Sequence, residues 1–170
     1  ENLGFIFQDY NLIDTLPISE NIALALTINH VSAGQVDGFV REMAVRLNIT
    51  DILNKYPYQV SGGQKQRCAC ARAIINKPKL LLADEPTGSL DSHSSQMLLS
   101  TIQSINEQMG ATILMVTHDA FTASYANRIL FLQDGEIFTE LHKGSDSRRT
   151  FFDKILNVLT MIGGGQNHVC

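Results

Sequence analysis

The sequence predicts an α/β fold built on a parallel sheet, and three observations carry that reading. Three short apolar runs, Gly4–Phe7, Leu80–Ala83 and Ala111–Val116, have strand length and end abruptly in polar residues: Gln8, Asp84-Glu85 and Thr117-His118-Asp119. Helical patterns separate them, the alternation expected of parallel strands joined by crossovers. The middle run is apolar at every position before its acids, as expected of a strand covered on both faces.

Taking the elements in order, Gly4–Phe7 reads as a buried strand with Gln8 at its carboxyl end. From Tyr10 to Tyr58 the pattern is helical and irregular. Pro17 fits the first turn of a helix through Glu20–Leu26. Val36, Phe39, Val40, Met43, Ala44 and Leu47 recur at i, i+3, i+4, i+7, i+8 and i+11, an amphipathic stripe that reads as core. A further helix spans Gln64–Asn76 and ends at Lys77-Pro78. It carries Cys68, Ala69 and Ala71 as a close-packing surface; its charges Lys65, Arg67 and Arg72 read as a solvated face, with no catalytic role for Arg67 or Arg72. After the acids, Ser92–Met109 reads as a helix with Met97, Leu98, Ile102, Ile105 and Met109 on one side and Gly110 as its stop. Arg128–Leu132, Asp134-Gly135 and Glu136–Thr139 form a hairpin signal, expected at the edge of the sheet. Ser147 caps a terminal helix to Leu159 with Phe152, Ile155, Leu156 and Leu159 on one face, and Gly163-Gly164-Gly165 releases a short tail.

Composition narrows the function classes. The chain has 170 residues and a net charge of −4, long enough to bury one core as a domain or the larger part of one. The acidic balance, with no basic run longer than Arg148-Arg149, argues against a nucleic-acid-coating surface and suits a cytosolic enzyme. Cys68 and Cys70 have neither zinc-site spacing nor a disulfide framework around them and read as reduced, small apolar residues. No apolar run approaches the ~20 residues of a membrane span, so membrane association is expected through a partner.

Two devices between Val60 and Asp91 handle phosphate. Ser61-Gly62-Gly63-Gln64 places a hydroxyl and two glycines ahead of a helix, where unpaired N–H groups and the positive end of the helix dipole favour an anion. Asp84 and Glu85 are aimed by the end of a strand, and Gln8 and His118 hold corresponding strand-end positions. A neutral Gln8 amide can offer its carbonyl to a divalent cation or a water without adding charge, and a histidine at position 118 can donate a hydrogen bond. The histidines at 30, 93, 142 and 168 read as ordinary polar residues.

In this order and spacing the motifs resemble the ATP-binding subunit of an ABC transporter. Ser61–Gln64 is similar to the ABC signature, with Val60 where Leu is usual. Leu80–Asp84 is similar to Walker B, Ser89-Leu90-Asp91 to the D-loop, His118 to the switch histidine and Gln8 to the Q-loop glutamine. The resemblance implies an α/β, P-loop NTPase-like parallel-sheet core with a helical subdomain at about 10–58, a signature and Walker B core at 59–144, and a C-terminal segment at 145–170. It implies ATP and Mg²⁺ as ligands, Asp84 and Gln8 at the metal, Glu85 and His118 as catalytic groups, and Ser61, Gly62, Gly63, Gln64 and Asp91 on the nucleotide. It further implies a second ATP-binding subunit, a membrane permease as partner, no nucleic acid, and a peripheral position on the cytoplasmic face of the membrane.

The C-terminal segment, Cys68-Ala-Cys70 and the general run of the sequence are most similar to the bacitracin-type antimicrobial-peptide transporters of Firmicutes. The Gly-x-x-x-x-Gly-Lys-[Ser/Thr] phosphate loop is not found in the 170 residues, and residue 1 is Glu. The expectation is therefore a chain cut at its N-terminal side and inactive alone. Two readings compete: an ABC-type ATPase acting on DNA or ribosomes, and a pseudo-ATPase scaffold. The 53 residues from Gln8 to Ser61 leave no room for the long coiled coil of DNA-repair members, and intact Glu85 and His118 disfavour the scaffold.

Overall fold

A computed structural model describes residues 3–164; Gly165, His168 and Cys170 lie outside the described residues. The chain divides into two compact units, one ending at Val116 and the other beginning at Thr117.

The first unit holds a three-stranded parallel sheet of β1 (Leu3–Ile6), β2 (Leu80–Asp84) and β3 (Thr112–Val116), in the spatial order β1-β2-β3. Ile6 pairs with Ala83, and Asp84 pairs with Val116, so the strands finish at one common edge. Four helices accompany them: α1 (Ile18–Ile28), α2 (Ala33–Arg46), α3 (Gly62–Ile74) and α4 (Ser92–Met109). The predicted stripe of α2 is core at Val40, Met43, Ala44 and Leu47, while Phe39 at its margin is exposed. Pro17 directly precedes α1, where its missing N–H costs nothing. Asp91 caps α4, and Gly110 closes it at φ +64°, a left-handed turn that glycine adopts without strain.

On the helix side of the sheet Ile6, Leu81 and Ala83 are buried, whereas Phe5 is 43%, Leu114 56% and Val116 61% exposed. The helices that follow β1 and β2 supply a single apolar layer, with Cys70, Ile74, Leu98, Ile102 and Ile105 on the buried side. Phe5 and Phe7 stack on each other on the open side, with ring centroids 5.7 Å apart.

The second unit contains α5 (Ala120–Ala123), β4 (Arg128–Gln133), β5 (Glu136–His142) and α6 (Arg148–Gly164). The hairpin forms as expected, with Asp134 and Gly135 both at positive φ, the geometry of a tight primed turn. It is a separate two-stranded sheet rather than an edge added to the parallel one. Ser147 caps α6 by accepting from Thr150 N–H at 3.1 Å. The buried face of α6 is Phe151 and Ile155, backed by Val158 and Ile162, whereas Leu156 and Leu159 are exposed. The i, i+4, i+7, i+11 set was available in the sequence beside the one chosen, and packing on the hairpin selects it. The helix also runs through Gly163 and Gly164 instead of releasing the chain there.

Candidate nucleotide site

The site is assembled where β1 and β2 end. Because the strands are parallel neighbours in register, Gln8 and Glu85 leave the sheet at the same edge. Asp84 ends β2 with its side chain exposed; Glu85 follows with φ +42°, a left-handed conformation that costs a non-glycine residue roughly 1 kcal/mol or more. Its N–H donates to Val116 O at 2.9 Å and its carbonyl accepts from Gly88 N–H at 3.0 Å, closing a turn over Pro86-Thr87. The Gln8 amide rests on that turn: a Cβ added at Gly88 would lie 3.0 Å from Gln8 Nε2. The Q-loop candidate and the acidic turn are thus in direct contact.

A second cluster joins the starts of α3 and α4. Ser61 Oγ accepts from Gln64 N–H at 3.3 Å and Gln64 Oε1 accepts from Ser61 N–H at 3.0 Å, a reciprocal capping box. Asp91 caps α4, accepting from Ser94 N–H at 2.9 Å and Ser94 Oγ at 2.7 Å. Those bonds, the backbone one foremost, hold its carboxyl below the usual carboxylate range. Gly63 is buried between the two starts; a Cβ there would meet Ser94 Oγ at 2.7 Å. At Gly62 a Cβ would meet the Tyr10 hydroxyl at 2.9 Å, and that hydroxyl hydrogen-bonds Ser89 Oγ at 2.8 Å. Gly63 therefore has a neighbour within its own chain that demands a small residue, while Gly62 faces the movable end of the Tyr10 side chain. The sequence reading assigned that close approach to phosphate alone.

Of the predicted site residues, Gln8, Asp84 and Glu85 lie together at the strand ends, and Ser61, Gly62, Gly63, Gln64 and Asp91 lie together at the helix starts. Tyr10 and Ser89 connect the two groups. His118 lies in the second unit, exposed, in a loop where Thr117 Oγ1 accepts from Asp119 N–H at 3.1 Å.

Sequence reasoning missed the side chains that hold these loops. Arg72 donates to Asn11 O at 2.6 Å and Tyr10 O at 3.0 Å, fastening the segment after Gln8 to α3. Buried Asn21 accepts from Ile13 N–H and donates to the carbonyls of Ile13, Leu16 and Pro17, fixing the approach to α1. Gln66 is fully buried and Arg67 half-buried. Burial lowers the Arg67 pKa from its ordinary value, opposed by the charges of Asp51 and Asp91. A legible signal existed for Gln66, which shares an i, i+4, i+8 row with Cys70 and Ile74. A polar residue on an apolar row asks for a buried partner.

The donor set fits a hard divalent cation with few protein ligands. Asp84 and Gln8 supply a carboxylate and an amide oxygen at one strand edge, and Mg²⁺ takes one or two such groups and completes its shell with waters and substrate phosphates. No cluster of three or more His, Cys, Asp or Glu able to hold a metal exists among the described residues. Two clefts of about 350 and 410 Å³ between the C-terminal halves of α2 and α4 contain none of the candidate residues.

The fold and the site define an α/β protein with acids at its strand ends beside an amide and a capped glycine helix start nearby. Comparison with known proteins narrows this. The ABC transporter family model matches residues 1–88, and the chain belongs to that family. It is 50% identical over 98% of its length to the bacitracin export ATP-binding protein BceA of Halalkalibacterium halodurans, and 48% identical over 98% to the ABC transporter ATP-binding protein YxdL of Bacillus subtilis. It spans 66% and 65% of those relatives' lengths. Among solved structures, a post-hydrolysis ATP-binding cassette dimer bound to ADP and phosphate matches with TM-score 0.75 and 36% identity, over 84% of this chain and 63% of that one. A dimeric bacterial ABC transporter cassette matches with TM-score 0.76 and 37% identity, over 84% and 63% respectively. The expected P-loop NTPase-like α/β fold is therefore the observed one. No described helix is long and apolar enough to cross a membrane.

Proposed function

We propose that this chain forms the hydrolytic and signature portion of an ATP-binding subunit that energises a membrane permease, working as a pair of copies on the cytoplasmic face of the membrane. The observation that carries it is the contact of Gln8 with the Asp84–Gly88 turn at one edge of the parallel sheet, in a member of the ABC family. The bacitracin-exporter relative supports antimicrobial peptides as the transported class.

In this mechanism Asp84 and Gln8 would hold Mg²⁺, which would supply charge neutralisation on the substrate phosphates. Glu85 orients a water for in-line attack and takes its proton; the new P–O bond forms as the bond from the γ-phosphorus to the β–γ bridging oxygen breaks, leaving ADP and phosphate. His118 donates to the γ-phosphate. The α3 start, with Ser61, Gly62, Gly63 and Gln64, meets the nucleotide held by the other copy, and Asp91 links that contact to α4. The ADP- and phosphate-bound dimer among the similar structures supports this shared arrangement. The helical part at about 10–58 receives the permease, beside the core at 59–144 and the C-terminal segment at 145–170.

The test is Glu85→Gln in the complete natural protein. Hydrolysis is expected to fall by at least about 100-fold with ATP affinity within a few-fold of native, because an oriented group acting in the transition state is lost while the pocket keeps its volume. Hydrolysis within a few-fold of native removes Glu85 from the reaction.

A further inference from the structure

Gln66 lies between the two halves of the site and belongs to neither. It sits in the second turn of α3, five residues after Ser61, and no part of it reaches solvent. Its Nε2 donates to Pro86 O at 2.8 Å and to Phe7 O at 3.3 Å. Both acceptors are backbone carbonyls, so the NH₂ end of the amide must face them. Its Oε1 has no hydrogen-bond partner among the described residues.

The two carbonyls are the ones that matter for geometry. Phe7 O belongs to the peptide that leads into Gln8, and Pro86 O lies one residue past Glu85. The β1–β2 ladder ends at Ile6 and Ala83, so beyond it no strand pairing sets the distance between these loops. Proline has no N–H with which to pair across the gap, and the N–H of Glu85 is committed to Val116 on the far side. One side-chain amide on α3 therefore joins the base of the Gln8 loop to the base of the acidic turn. The same helix begins at the capped Ser61, so a shift of α3 along or about its axis is carried by Gln66 to both carbonyls.

We propose that Gln66 is a positioning residue for hydrolysis: it sets the separation of Gln8 and Glu85 and ties it to the position of the helix that starts at Ser61. This rests on the function proposed above for Glu85. The amide is fully buried and its donors are given to the two loop carbonyls, so it acts through the two loops. Misplacing a reacting group by about 1 Å costs on the order of 100-fold in rate, and a bridge of two hydrogen bonds holds position on that scale.

The test uses the complete natural protein with Gln66→Met, which keeps length and volume but donates nothing, and Gln66→Glu, which presents an acceptor to both carbonyls. Expected for each is a fall in kcat of at least about tenfold with KM for ATP within about threefold. The decisive arm repeats Gln66→Met in a Glu85→Gln background, where residual hydrolysis should change by less than about twofold because the group being positioned is gone. A role in folding alone would lower activity by the same factor in both backgrounds, and that equality overturns the proposal. So does a kcat within twofold of native in both single variants, or failure of both to fold, which makes Gln66 a core residue only. Native-like hydrolysis by Glu85→Gln alone instead refutes the proposed function, so the two failures are told apart.

Discussion

Glu85 is the residue at which local energetics and the proposed chemistry conflict. A branched-free acid held at φ +42° is strained, and the strain is retained by the Val116 and Gly88 hydrogen bonds on either side. Glycine relieves such a conformation, and alanine does not. Glu85→Gly is therefore expected to be more stable than Glu85→Ala by about 1 kcal/mol in urea unfolding, against the usual order in which alanine is the more stable. Equal stabilities, or a more stable alanine variant, would mean the left-handed turn is not under strain. At this scale much was legible: an apolar run ending in Asp84-Glu85 announces acids at a strand end, and Gln8 follows by the same logic. The strain was not, since nothing in Asp-Glu-Pro specifies the sign of φ. Arg72 illustrates the opposite error, because charge pattern alone cannot distinguish a solvated face from a guanidinium reaching a carbonyl 61 residues away.

At the scale of elements, the starts of α3 and α4 are packed so closely that Gly63 admits no side chain. Gly63→Ala drives a methyl into Ser94 and loosens the Asp91 cap, at an expected cost of about 1–3 kcal/mol. Gly38 in α2 has open space around it, and Gly38→Ala should stabilise by about 1 kcal/mol. Chemical denaturation of the two variants reads both signs, and a neutral Gly63→Ala would contradict the packing described. In α5, Asp119 is pulled toward a higher pKa by burial, but the Thr122 hydroxyl and the N–H groups of Thr122 and Phe121 outweigh this and hold it below its ordinary value. A carboxyl with a depressed folded-state pKa adds stability that is present above its unfolded pKa near 3.9 and lost as pH falls through the lower folded one. The stability advantage of the native protein over Asp119→Asn should shrink below about pH 4; an advantage unchanged by acid would show that the cap is not ionised. Helix limits were readable wherever a cap chemistry declared them, as with Asp91 and Gly110 around α4. Burial of faces was less so: the periodicity of α6 offered two apolar rows, and the packing of α5 and the hairpin against it decides between them.

For the whole molecule, the central claim is that two copies share nucleotide through the α3 start. Ser61 spends its Oγ lone pair on the Gln64 N–H, which leaves its hydroxyl proton and exposed side of the helix start for a ligand from outside the chain. The local geometry was foreseeable from Ser-Gly-Gly-Gln, but pairing of copies is a property of surfaces that one chain does not display. Light scattering of the complete natural protein in a Glu85→Gln background, with and without ATP, measures it directly. With native Ser61, ATP is expected to convert monomer to dimer. With Ser61→Arg, dimerisation should be lost while ATP binding by the monomer survives, and the missing cap should cost only about 1 kcal/mol of stability. ATP-dependent dimers that persist with Arg at position 61, or loss of monomer ATP binding in step with dimerisation, would contradict the account.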